Sequence, residues 1–184
     1  MANFDTNKWY QIVLSSSDAQ SMDGTVLYDH GQGAAFFRTT NVTIPEEQWQ
    51  FYPSNDSYVL RTKASGSGGY LTTAYDVNET TAGYTVPQMR NITLADESMF
   101  WQIGAWGDGT FFMTNSANGT SWHLNVKSNS LMAMDSNITG VQKGQKFEFS
   151  SLGTINNSKY STIQVCSFGF EILRRFTYWN FGRH

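Results

Sequence analysis

The sequence predicts an all-β barrel made of three similar units of about 50 residues each. Three observations carry that expectation. First, short β-branched and aromatic runs alternate with Gly, Asn, Asp and Ser clusters, the pattern of many short strands joined by turns. Second, these runs align with one another along the chain. Third, an aromatic recurs at the close of each unit, at Trp49, Trp101 and Phe147. No spacing of i, i+3, i+4, i+7 is sustained, so the pattern contains no amphipathic helix.

The opening strands are Trp9-Tyr10-Gln11-Ile12-Val13-Leu14, Tyr58-Val59-Leu60-Arg61-Thr62 and Thr110-Phe111-Phe112-Met113-Thr114. Tyr10, Tyr58 and Phe111 match, and two residues on Ile12, Leu60 and Met113 match. Residues two apart share one face of a strand. A second strand is expected around Leu27 in Thr25-Val26-Leu27, Leu71 in Gly69-Tyr70-Leu71 and Leu124 in Trp122-His123-Leu124. The closing strands are Gln48-Trp49-Gln50-Phe51, Phe100-Trp101-Gln102-Ile103 and Lys146-Phe147-Glu148-Phe149, whose central aromatics are the large core residues. One unit of about four short strands cannot bury its apolar face alone; three copies close a barrel with no free edge. The architecture is therefore a β-trefoil with pseudo-threefold symmetry, since three blades are too few for a propeller.

The trefoil is expected over residues 1–152, with a tail over 153–184. The tail opens on a polar stretch and continues into an apolar one, Ile163 to Phe181, interrupted by Ser167, Gly169, Glu171 and Arg174-Arg175. It packs on the barrel or extends from it, and the sequence leaves both open. An exposed run holding Phe168, Phe170, Phe176, Tyr178, Trp179 and Phe181 would invite aggregation, which favours packing or a partner.

With 184 residues, 40% of them hydrophobic, the chain can bury one sizeable core without staples. Charged residues make up 15%, and Ser, Thr, Asn and Gly supply the remaining polarity. The net charge is −3, and no basic cluster exceeds Arg174-Arg175, which excludes the basic stripe of a nucleic-acid binder. No apolar run reaches the roughly 20 residues of a membrane-spanning helix. The single cysteine, Cys166, excludes an intrachain disulfide and reads as a small buried residue.

Asn-X-Ser/Thr acceptors stand at Asn41, Asn55, Asn78, Asn91, Asn118, Asn137 and Asn156, more than the composition produces by chance. They predict a secreted glycoprotein. Met1-Ala2-Asn3 opens no signal peptide, so a secreted form is expected to have shed its leader.

Several segments resemble the ricin-B-type β-trefoil family, particularly its fungal secreted members, over roughly residues 5–151. They are Lys8-Trp9-Tyr10, Trp106-Gly107-Asp108-Gly109-Thr110-Phe111, Met113-Thr114-Asn115 and Trp122-His123-Leu124-Asn125, together with an altered Gln-X-Trp closing each unit. The resemblance implies one shallow sugar site per unit: an Asp after the second strand, an aromatic platform after the third, and an Asn or Gln near the closing motif. A carboxylate suits vicinal hydroxyls because it accepts from both.

Here that pattern is eroded. The Asp position falls on Tyr28, Thr72 and Asn125, and the Gln position on Glu47, Met99 and Gln145. The third unit offers Asn125 with Gln145, near Asp135 and Asn137; the first offers Asp29 with Phe36 or Phe37; the second offers Asp76 with Tyr84. Asn125 and Asn137 also suit turns, and Phe36, Phe37 and Tyr84 also suit core or half-buried strand positions.

Catalytic patterns are missing from the sequence. His30, His123 and His184 are scattered without zinc or iron spacing, so no metal or other cofactor is expected. No Gly-X-Ser-X-Gly elbow occurs, and Gly66-Ser67-Gly68-Gly69 lacks the Lys of a phosphate loop. Glu46 and Glu47 are adjacent, so on a strand they face opposite ways. The expectation is a secreted, non-catalytic glycan-binding protein with a lectin-like fold, in a fungal setting an effector. The alternative is a β-trefoil inhibitor of host cysteine or serine proteases. It would act through the loops Ser15–Gly24, Ala64–Gly69 or Gly104–Gly109, the last carrying Trp106 and Asp108. A structural or adhesive wall protein ranks third.

Overall fold

A computed structural model describes residues 2–16, 19–73, 81–163 and 165. It contains four strands per unit. The first unit holds β1 (Lys8–Leu14), β2 (Gln20–Gly24), β3 (Gln32–Thr39) and β4 (Trp49–Ser54). The second holds β5 (Ser57–Thr62), β6 (Gly69–Thr72), β7 (Gln88–Asn91) and β8 (Phe100–Ala105). The third holds β9 (Phe111–Asn115), β10 (His123–Val126), β11 (Met132–Asp135) and β12 (Phe147–Thr154). All the pairings are antiparallel, and the ring closes where β12 pairs with both β1 and β9.

The recurring aromatics explain the closure. Within each unit the opening aromatic lies opposite the closing one: Tyr10 opposite Trp49, Tyr58 opposite Trp101, Phe111 opposite Phe147. Trp49, Trp101 and Phe147 are fully buried, in one cluster with Ile12, Leu60 and Met113. Burying each such side chain stabilises the fold by about 2–3 kcal/mol. A one-turn 3-10 helix precedes each closing strand, and it ends on Glu47, Met99 and Gln145. Buried Glu47 accepts hydrogen bonds from Gln11 Nε2 (3.1 Å), the Ser21 hydroxyl and the Asn41 amide (2.8 Å), tying β1 and β2 to the end of the unit.

The second strand of the first unit differs from expectation. It is Gln20–Gly24, not the run ending at Leu27, and Met22 takes the core position of Leu71 and Leu124. The indoles fix this register: Trp49 Nε1 donates to the Met22 carbonyl and Trp101 Nε1 to the Leu71 carbonyl, both at 2.8 Å. Gly24 is required here, because a Cβ would stand 2.6 Å from the Trp49 ring. The residue after the core position is thus Asp23 in the first unit, not Tyr28, in line with Thr72 and Asn125.

After β12, residues 155–163 return across the first two units. Ile155 and Tyr160 are buried against Trp9, and Ile163 and Val165 pack on Val59, Tyr70, Ile92 and Met99. Fully buried Arg61 holds this segment: its guanidinium donates to Gln50 Oε1 (2.6 Å) and to the carbonyls of Ser67 (2.6 Å), Tyr160 (2.7 Å) and Thr162 (3.0 Å). Cys166 and the rest of the tail to His184 lie outside the described residues.

Candidate functional site

Strands β8 and β9 pair Gln102 with Thr114 and Gly104 with Phe112. Alternation sends Ile103 and Met113 to the core, so the flanking residues line the outer face. At Gly104 a Cβ would stand 2.2 Å from Phe112 Cζ, so the phenyl ring lies over the bare glycine. The ring stacks on the His123 imidazole, with centroids 4.3 Å apart and planes 8° from parallel. Trp106 flanks both, 5.0 Å from Phe112 and 5.4 Å from His123, and its indole N–H donates to the Gln145 carbonyl at 3.0 Å.

This aromatic wall bounds an open groove of about 480 Å³. Its polar side is Gln102, Thr114, Thr120 and Asp56. The Thr114 hydroxyl donates to Gln102 Oε1 at 3.2 Å, which leaves the carboxamide N–H groups of Gln102 as donors. Asp56 sits on the two-residue β4–β5 turn, where Asn55 adopts φ 53, the left-handed conformation that Asn tolerates. His123 is 5% exposed and its Nδ1 has no partner. Burial holds its pKa below the ordinary histidine value, opposed by the neighbouring Gln145 side chain, which favours the neutral ring.

The residues singled out from the sequence are distributed otherwise. Gln145 is fully buried; its Nε2 donates to the Asn137 carbonyl at 3.1 Å and its Oε1 has no partner. Asn125 is half-buried against Gly144, and Asp135 accepts from the Asn137 amide at 2.8 Å, closing a turn. The third unit thus gathers these residues, but the Gln145 side chain points into the protein and away from a ligand. Phe37 is a core residue, 1% exposed and 5.9 Å from the Phe147 ring, so it offers no sugar platform; Phe36 is half-buried and Asp29 exposed. Tyr84 is 80% exposed, while its partner Asp76 lies outside the described residues, as does Asn78.

In the Gly104–Gly109 loop, half-buried Trp106 packs against Phe112 and His123 of the groove wall and does not itself line the groove. Asp108 pairs with Lys146 Nζ at 2.6 Å and accepts from the Thr110 amide at 3.0 Å. These contacts, Lys146 foremost, hold its carboxyl well below the usual carboxylate range. Of the glycan acceptors, Asn41, Asn55, Asn91, Asn137 and Asn156 are exposed. Asn118 is buried, with both amide atoms closed from solvent and unpartnered, so a glycan there requires local opening.

Two sets of residues escape the sequence reading. Asp23, 1% exposed, receives Arg38 Nη1 at 3.2 Å, while its Oδ1 is buried without a partner. Its signal was its place one residue after the core position, obscured by the weak strand propensity of Ser21-Met22-Asp23-Gly24. Of the groove residues, Gln102 and Phe112 come from separate units and Asp56 from the turn between the first two, and only alternation along β8 and β9 marks Gln102 and Phe112 as outward-facing.

No family model and no curated protein matches the chain. Solved structures do. A designed 3-fold symmetric protein, ThreeFoil, matches with a TM-score of 0.62 at 14% identity, over 78% of this chain and 99% of that one. A mosquitocidal holotoxin matches with a TM-score of 0.66 at 13% identity, over 83% of this chain and 18% of that one. A salivary protein of Culex quiquefasciatus from the Cysteine and Tryptophan-Rich family matches with a TM-score of 0.57 at 13% identity, over 81% and 97%. Likeness at these identities speaks for the fold alone: the chain is a β-trefoil.

Proposed function

We propose that this protein is a secreted, non-catalytic, lectin-like glycan binder whose sugar site is the groove on β8 and β9. The supporting observation is the juxtaposition of the Phe112–His123 wall with Gln102, Thr114 and Asp56. An aromatic wall suits the C–H face of a pyranose, and amide, hydroxyl and carboxylate groups suit its hydroxyls. Asp56 is the one carboxylate among the described lining residues, whereas glycoside hydrolysis uses a pair. The exposed acceptors Asn41, Asn55, Asn91, Asn137 and Asn156 support passage through a glycosylating pathway. The test is a glycan array with the enzymatically deglycosylated protein and its Phe112→Ala variant. Binding that the variant loses by tenfold or more is expected; a blank array, or binding indifferent to Phe112, overturns the reading.

A further inference from the structure

We infer that the groove ranks saccharides by charge, amine-bearing above neutral above acidic, and that each chain holds one such site. The inference rests on the glycan-binding reading. Asp56 is exposed at the groove's rim and takes part in neither the Arg38–Asp23 nor the Lys146–Asp108 ion pair. No Lys or Arg is among the described residues lining the groove. His123 is part of the wall and buried, which favours its neutral form. Among the described residues the ligand therefore meets one negative charge outside those ion pairs and no positive one. An ammonium gains a charge-assisted hydrogen bond there, a hydroxyl an ordinary one, and a carboxylate or sulfate meets repulsion.

The count of one follows from the threefold arrangement. Relative to Trp49, Trp101 and Phe147, the Gln102–Thr114 pair corresponds to Gln50–Arg61 and to Glu148–Val13. At Gln50–Arg61 the chain is its own occupant. Gln50 Nε2 and Arg61 both donate to the Tyr160 carbonyl, and the Tyr52 hydroxyl, at the Gly104 position, donates to the Ser161 carbonyl at 3.3 Å. At Glu148–Val13 the amide and hydroxyl are replaced by a carboxylate and an aliphatic chain, and Glu148 is engaged by the Ser15 hydroxyl at 2.6 Å. The amide–hydroxyl pair beside a side-chain-free position thus occurs at one junction of the three.

The test uses the full chain at pH 7 against matched amine-bearing, neutral and acidic members of each pyranose series on one array, with calorimetric stoichiometry for the best binder. The expected preference of the amine-bearing over the acidic member is about tenfold at 0.15 M salt, shrinking at 1 M. Asp56→Asn should bring the three within about twofold, Asp56→Lys should invert the order, and the stoichiometry should be one. An acidic member bound best, or a ranking that Asp56→Asn leaves intact, overturns the charge inference while the glycan reading stands. Two or three equivalents bound overturns the single site. Binding to no member overturns both.

Discussion

Asp23 shows what one side chain carries in this fold. Burial raises its pKa above the ordinary value of 3.8, Arg38 opposing, so the folded protein holds the proton more tightly than the unfolded chain. By linkage, stability from the protonated form is full below the unfolded pKa and is lost as pH rises through the folded one. Asp23→Asn should accordingly raise Tm at pH 7, with the gain vanishing below about pH 3.8; scanning calorimetry at pH 3 and pH 7 tests this, and an equal change at both pH values would contradict it. Residues of this kind divide by how they announce themselves in a sequence. Trp49, Trp101 and Phe147 are legible because large aromatics at a regular recurrence have no better place than a core. Asp23 is not, because its neighbours have little strand propensity and its partner Arg38 stands fifteen residues away. Phe37 misled for the converse reason: adjacent Phe36 and Phe37 face opposite sides, and sequence alone does not say which one faces in.

At the scale of the element, the β8–β9 pair makes the groove by leaving out a side chain. Gly104→Ala would place a Cβ where the Phe112 ring lies, and the ring must swing off His123. Overpacking of this kind costs about 1–3 kcal/mol. The variant should stay folded, lose most glycan binding and show altered His123 imidazole shifts by NMR; unchanged binding would show that the stack is not the recognition surface. Alternation made β8 and β9 legible as strands. Opposition of Gly104 to Phe112 was not, since register between strands is set by the closing aromatics and the turns around them. The same limit displaced the second strand of the first unit, where Thr25-Val26-Leu27 has the better propensity but Met22 has the indole.

Across the whole molecule, three similar units have been put to different uses. The first junction is sealed by residues 155–163, which Arg61 holds across a sequence separation of about a hundred residues. Arg61→Met would strip four acceptors of their buried donor, at a cost of about 2–4 kcal/mol. Hydrogen exchange should then accelerate first in 155–163, ahead of the strands; uniform acceleration would mean that the segment is no separate unit. Threefold recurrence was readable because each unit repeats its aromatics. The seal was not, because Arg61 on a strand gives no sign that it faces backbone carbonyls contributed from far along the chain. Closure of the ring by β1 and β12, with Lys8 opposite Thr154, also sets an order of events in time. While the chain emerges from a ribosome, β1 has no partner on that side until almost the whole trefoil has been made. Barrel completion is therefore late and governed by distant contacts, and the nascent chain carries an open strand edge for most of its synthesis.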